Sequence, residues 1–315
     1  MAAIRKKVSA VRILVVILVC IITFVYLVPL LFVIDTSFKP WTVIKEWPPR
    51  IFFKPSLAPY IRIFTARAVY PPGSPKLTQE QLDDLTWYER IVYFESNEEI
   101  LRTGDFPSRY RNSLIITIAS TALTILLATF AAYAFSRFKI KGKNDLLFFI
   151  LSTRMLPAVV VLIPVFLMFR KLGLSDSHLG LTILYTAFNL SFAVWVLKGF
   201  IDEIPVEYEE AAMVDGYTRF QTFWKIIVPQ AMTGIAATAV FCFIFSWNEF
   251  GFAFIMTRSN AQTVPPWLPY QLGVLGYDWG AAAAGAVLFI IPALVFTIIL
   301  RKNLVRGITF GAIRK

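Results

Sequence analysis

Stretches of roughly 20 mostly apolar residues recur along the chain, at 13–34, 114–135, 146–169, 179–200, 235–256 and 280–300. A helix of about 20 residues is long enough to cross the hydrocarbon layer of a bilayer. Within that layer every backbone N–H and C=O must find its partner internally, which leaves only helices or a closed barrel. Barrel strands read as short segments of alternating polarity. These runs are continuous, so the chain is expected to be all-α, a polytopic membrane bundle of about six transmembrane helices. Composition agrees where it matters: 57% of the residues are hydrophobic and 16% charged, with a mean hydropathy of +0.65. A soluble domain with so little polar surface would not stay dispersed.

The net charge of +11 raises the question of nucleic acid. The basic residues are scattered among the segments flanking the apolar runs, not gathered on one soluble face, so a nucleic-acid partner is excluded. They orient the bundle instead. Arg5, Lys6, Lys7 and Arg12 precede the first run, Arg137, Lys139, Lys141 and Lys143 follow the second, and Arg301, Lys302, Arg306, Arg314 and Lys315 follow the sixth. Basic clusters mark the cytoplasmic side. Both termini are therefore expected inside, and the basic-poor connectors near 170–178 and 258–278 outside. The segment 35–111 also falls outside, and a loop longer than about 60 residues escapes the charge rule. The first run is too long for a cleavable signal peptide and lacks a small-residue cleavage site, so it is read as a retained span. Cys20 and Cys242 lie in apolar runs and read as buried small hydrophobes.

The expected organisation is an N-terminal tail and first transmembrane helix at 1–34, an exterior loop at 35–111, a transmembrane core at 112–301 and a cytoplasmic tail at 302–315. The loop opens with proline and aromatic residues, which imply extended, turn-rich structure. From 77 to 101 acidic residues dominate, and Leu82, Leu85, Tyr88, Ile91 and Val92 sit near helical spacing, so one or two short amphipathic helices are expected. Such a loop serves either as a contact surface for an external solute receptor or as a cap over the bundle. Within the spans, Pro157 and Pro164 in the third and Pro292 in the sixth are expected to break the helix. Gly280 and the small residues after it offer a thin face for close packing.

Catalytic groupings are missing from the sequence. The single histidine, His178, argues against a histidine metal site or triad. Gly142-Lys143 is followed by Asn144 and lacks the upstream glycine of a phosphate loop, so the chain is not expected to bind ATP, a metal or a cofactor.

One polar segment stands out between the fourth and fifth runs, at 202–229. Pro205 suits the start of a helix, and Ala211 and Ala212 offer a smooth surface. Gly216 permits a sharp turn, and Thr218 with Gln221 forms a capping box for a second helix. Pro229 marks the junction with the next span. This is the layout of a docking element.

The spacing Glu210-Ala211-Ala212, then Gly216, then Ile226, Val228 and Pro229 resembles the cytoplasmic signature of ABC-importer permease subunits, with Val228 where leucine is usual. Asn112-Ser113-Leu114, the run from Ala131 to Arg137, Ile204-Pro205, Trp247-Asn248-Glu249-Phe250 and Val305-Arg306-Gly307-Ile308-Thr309 look like the maltose-type carbohydrate branch. The resemblance covers the chain from about Asn112 onward. It implies a permease subunit, not itself an enzyme, in the bacterial inner membrane. Implied partners are an ABC ATPase dimer that hydrolyses ATP, a second and distinct permease, an extracytoplasmic binding protein that delivers a sugar or sugar-like solute, and membrane lipid. Glu210, Ala211, Ala212, Asp215 and Gly216 would dock the ATPase, whose closure would rock the spans between inward- and outward-open states.

Ionisable residues inside apolar runs usually face a cavity. Arg154, Asn248 and Glu249 are therefore candidates for the translocation pathway. The plain alternatives are a snorkelling arginine and interhelical hydrogen bonds. Trp247, Trp267, Tyr270, Tyr277 and Trp279 read as sugar-stacking surfaces or as an aromatic belt at the membrane interface. The competing function, a stand-alone secondary transporter or channel, predicts inverted repeats and a relay of ionisable residues. Neither is evident.

Overall fold

The computed structural model describes residues 10–71, 73–272 and 278–310. The basic residues 5–7, Tyr277 and the end of the tail at 311–315 lie outside the described residues. The chain forms two compact units, one of residues up to Asp105 together with Tyr270–Leu288, the other of Phe106–Pro269 together with residues from Phe289 on.

The first unit begins with α1 (Ala10–Thr36), apolar on all sides and unburied along its length. A helix greasy all round needs lipid or another chain to cover it. Cys20 is accordingly exposed on α1, not buried; Cys242 is buried. Then follow α2 (Trp41–Ile44), α3 (Ala58–Phe64), β1 (Thr65–Val69), α4 (Gln79–Asp84), α5 (Trp87–Ser96) and β2 (Glu98–Thr103). The acidic stretch forms two helices, each started by a capping box, Thr78 with Gln81 and Thr86 with Glu89. The β1–β2 pair, antiparallel with Thr65 opposite Thr103 and a bulge at Ala66/Arg67, was not expected from the sequence. Two arginines and two acids stitch this unit together. Arg62 lies 3.1 Å from Glu98 and 3.2 Å from Asp278, and Arg67 lies 2.8 Å from Glu98. Trp41 covers the Arg62 guanidinium at 4.4 Å. Gly280 packs closely here: a Cβ would come within 2.9 Å of Ile44 Cδ1 and 3.1 Å of Pro59 Cγ, so those side chains would have to shift.

The second unit holds α6 (Phe106–Arg137), α7 (Lys143–Thr153), α8 (Ala158–Lys171), α9 (His178–Asp202), α10 (Glu207–Val214), α11 (Arg219–Thr222), a π turn (Phe223–Ile227), α12 (Val228–Gln230), α13 (Met232–Trp247), α14 (Gly251–Met256) and α15 (Val264–Trp267). Helix α16 (Trp279–Phe310) starts in the first unit and ends in the second. Among the described residues, four helices are long and apolar enough to cross a membrane: α1, α6, α9 and α16. A fifth span results if the bent pair 219–230 and 232–247, at 73°, counts as one. The third apolar run is no single helix. It parts between α7 and α8 at Arg154–Pro157, because the ring of Pro157 stops the incoming turn. Pro164 and Pro292, by contrast, sit inside continuous α8 and α16, so those two expected breaks do not occur.

Helices α6 and α9 are the central pair. Ala128, Ala132 and Ala193 are fully buried between them, and small residues let the two backbones approach. Val194, Leu197, Ile201 and Cys242 complete this core. Hydrogen bonds across helices fix its register. Asn189 Nδ2 donates to Ser246 Oγ at 2.8 Å, and Ser120 Oγ donates to the same oxygen at 3.2 Å, which joins α6, α9 and α13.

Candidate functional site

The polar segment between α9 and α13 folds as the sequence implies, a pair of short helices about a glycine. Gly216 has φ +88°, which only glycine adopts without strain. Thr218 caps α11: the Thr218 backbone N–H donates to Gln221 Oε1 at 2.8 Å, and Gln221 N–H returns a bond to Thr218 Oγ1 at 3.3 Å. The first turn of α10 carries Glu207, Glu209 and Glu210, matching the positive end of a helix dipole.

Two adjacent glutamates in that turn have opposite surroundings. Glu210 is exposed, as are Ala211, Asp215 and Gly216. Glu209 is 5% exposed and faces α6. Its carboxylate accepts from the Tyr133 hydroxyl at 2.9 Å and from Arg137 Nε. Arg137 also donates from Nη2 to Ile204 O at 2.7 Å, which fixes the chain just before α10. Tyr133 and Arg137 are four residues apart on one face of α6, so both reach the same acid. Ala212 packs inward with Glu209 and is 5% exposed, so it holds α10 to its own chain and is not part of the open surface. Phe223 anchors the second arm. It is 2% exposed, stacks on Phe130 at 5.0 Å and touches Tyr133 at 4.9 Å. The outer surface of the segment is open and sets large side chains beside its exposed acids, with Val214 87%, Phe220 65% and Tyr208 54% exposed. Among the described residues, the segment is held on its inner face and open on its outer face.

Arg154 and the adjacent pair Asn248 and Glu249, far from it in sequence, line one cavity of about 450 Å³ with Tyr185, Phe188 and Asn189. Arg154 does not snorkel. Its guanidinium donates from Nη1 to Phe188 O at 3.0 Å and lies 4.4 Å from the centre of the Phe245 ring. Glu249 accepts the backbone N–H groups of Phe252 at 2.9 Å and Ala253 at 3.1 Å, so it starts α14. Asn248 bonds its own helix, donating from Nδ2 to Ile244 O at 2.9 Å, and not a neighbouring one. The buried Tyr185 hydroxyl faces Glu249 and Thr263 without a hydrogen bond of normal geometry to either. Neither reading of Trp247 and Trp267 as surface aromatics holds. Trp247 is 1% exposed, stacks on Phe289 at 4.6 Å and donates from Nε1 to Phe289 O at 2.9 Å, and Trp267 is buried against Phe106. Trp279 is exposed.

At the end of the bundle opposite α10, a second tie was missed by sequence reasoning. Asp176, in the α8–α9 connector, gathers the backbone N–H groups of Ala261 at 3.0 Å, Arg258 at 3.1 Å, Asn260 at 3.1 Å and Ser259 at 3.3 Å. Burial opposes the charge, but those four donors outweigh it and hold the carboxyl below its usual range. Asn112 secures the same loop, donating from Nδ2 to Asn260 O and Gln262 O, and its Oδ1 lies 2.8 Å from His178 Nε2. Ser113 Oγ accepts the Val264 N–H at 2.9 Å. Asn112-Ser113 thus has a structural reason, and so has the run ending at Arg137.

Comparison with known proteins agrees with this geometry. Residues 109–309 match the family described as binding-protein-dependent transport system inner membrane component. A probable ABC transporter permease protein of Sinorhizobium fredii is 31% identical over 94% of this chain and 93% of its own. The trehalose transport system permease protein of Mycobacterium tuberculosis is 35% identical over 71% of this chain and 82% of its own. Among solved structures, a chain of a bacterial ABC transporter involved in the import of the acidic polysaccharide alginate superposes with a TM-score of 0.68 at 20% identity, over 94% of this chain and 99% of that one. That likeness is one of fold. The chain is a helical membrane protein that belongs to the family of inner-membrane components of binding-protein-dependent transport systems.

Proposed function

We propose that this chain is one permease subunit of an ATP-driven importer in the bacterial inner membrane. It works with an ABC ATPase dimer, a second permease and an extracytoplasmic binding protein, and the solute is a sugar or sugar-like molecule. The observation that carries this reading is the α10–α11 segment, clamped by Glu209 to α6 and open on its Glu210 side. A partner ATPase held against Glu210, Ala211, Asp215 and Gly216 would move α6 with it, because α10 and α6 share buried charge. The segment lies on the cytoplasmic side in this reading, and Asp35–Arg111 outside. Arg154, Asn248 and Glu249 line part of the solute pathway. The sugar assignment draws on the trehalose permease likeness and on the diacetylchitobiose uptake permease of Streptomyces coelicolor, 32% identical over 72% of this chain.

Gentle extraction of the tagged chain from its native membrane, followed by identification of co-purifying proteins, tests the assembly. An ABC ATPase and a second permease are expected in stable ratio. A chain that purifies alone and transports solute without ATP contradicts the proposal.

A further inference from the structure

A second cavity, of about 650 Å³, opens between α7 and α9. Leu147, Phe148 and Leu151 form one wall, and Trp195 and Gly199 the other, with Lys198 and Asp202 at the mouth. It lies on the same side of α9 as the first cavity. Tyr185, Phe188, Phe192, Trp195 and Gly199 recur every three or four residues, which places them in one stripe along the helix. Tyr185 and Phe188 line the first cavity, and Trp195 and Gly199 the second. Asn189 and Trp195 are six positions apart, about 9 Å along the helix.

What fills that interval is one side chain and its supports. Arg154 ends α7, with its guanidinium 4.4 Å from the Phe245 ring, 5.4 Å from the Phe192 ring and bonded to Phe188 O. Beside it Thr153 Oγ1 and Ser191 Oγ lie 3.1 Å apart, which closes α7 against α9. The guanidinium is thus held by two ring faces and by one carbonyl, all contacts of a single side chain.

We infer that the α7–α9 groove is the water-filled cytoplasmic half of the solute pathway, and that Arg154 on Phe245 and Phe192 is the barrier between it and the first, or upper, cavity. This rests on the pathway reading of Arg154, Asn248 and Glu249. The groove suits an uncharged, hydroxylated ring. Trp195 is 56% exposed and offers a broad apolar face. At the mouth the Lys198–Asp202 pair, with Ser136 on the same carboxylate, gives hydrogen-bonding groups whose charges already balance. Gly199 keeps the floor open, since nothing lies within 4 Å of where a Cβ would sit.

That open position makes the test practical. In the complete transporter, with Cys20→Ser and Cys242→Ala as background, Gly199→Cys fits without a clash. A charged, membrane-impermeant thiol reagent applied from the cytoplasmic side should modify it. Ile298→Cys, an exposed apolar position on α16, serves as the lipid-facing control and should react only with a lipid-soluble maleimide. The barrier is read at Asn248→Cys, whose modification by the charged reagent should speed up when Arg154→Ala is added. Modification of Gly199→Cys by the lipid-soluble reagent alone would make the groove a lipid-facing surface. Failure with both reagents would make it a covered interface with the second permease. Either result overturns the inference. An unchanged Asn248→Cys rate in the Arg154→Ala background removes the barrier. If Asn248→Cys never reacts with the charged reagent while Gly199→Cys does, the upper cavity is not the pathway, and the underlying reading fails in its own right.

Discussion

Glu209 and Glu210 are neighbours in sequence, yet one is buried in a hydrogen-bonded ion pair and the other meets solvent. Removing one partner of a buried pair leaves the other charge uncompensated and costs about 3–5 kcal/mol. Glu209→Ala is therefore expected to loosen α10, strand Arg137 and lower the thermal stability of the purified chain. Glu210→Ala should leave the melting temperature near that of the parent. Equal melting of the two variants would contradict the assignment. Asp176 gives a pH test. Its carboxyl is held below the ordinary value of 3.8 in the folded state, so the unfolded chain takes up its proton first as pH falls. The stabilisation is complete above about pH 5 and disappears as pH drops through the depressed value. Asp176→Asn removes charge-assisted bonds that contribute about 1.5–3 kcal/mol, and it should abolish that part of the acid sensitivity. Limited proteolysis at 258–261 across an acid series reads it: the parent should become cleavable on acidification, and the variant should be cleaved at every pH. At this scale the sequence was half legible. Gly216, Thr218 and Gln221 announce themselves because turn and cap chemistry is local. Glu209 does not, because its burial depends on Tyr133 and Arg137 more than seventy positions away.

Elements divide in the same way. The long apolar helices follow from hydropathy, and so does the break at Pro157, since a proline ring excludes the carbonyl of the preceding turn. Pro164 and Pro292 carry the same local signal, yet α8 and α16 run through them, a choice that sequence spacing does not reveal. The β1–β2 pair was also hidden. Its strands are short, carry arginine and glutamate, and are held by the Arg62, Arg67, Glu98 and Asp278 cluster, not by an apolar alternation. Helices α4 and α5 were legible as acidic, amphipathic text. In the proposed importer they belong to the receptor-facing side. Replacing 78–96 with a short Gly/Ser linker removes both helices and leaves Glu98 and β2 in place. The variant should keep basal ATP hydrolysis by the complex and lose the extra hydrolysis elicited by loaded receptor. Stimulation that survives the replacement would assign receptor contact to the connectors at Asp176 and 258–261 instead.

On the scale of the molecule, membrane character and bundle architecture were readable from six apolar runs, and the family from the spaced motif at Glu210 to Pro229. What the runs could not tell was how they pair. That α6 and α9 form the central packing depends on small residues at Ala128, Ala132 and Ala193, and on Asn189 meeting Ser246 across helices. The same core joins the two functional ends. Helix α6 holds Glu209 near its last turn and, through its own Asn112 near its first, the loop at Asn260 and Gln262, so in the proposed importer a displacement of α10 would be delivered along α6 to the loop held by Asp176. Force transfer through the Glu210 face is thus the central claim. The most direct measurement compares parent, Glu210→Lys and Gly216→Pro transporters in proteoliposomes, with ATP-driven uptake and bound ATPase quantified in the same sample. Charge reversal on the open face, or a proline forced to φ +88°, should lower both uptake and retained ATPase while the chain stays in the membrane. Full uptake with the ATPase still bound in both variants would contradict the account.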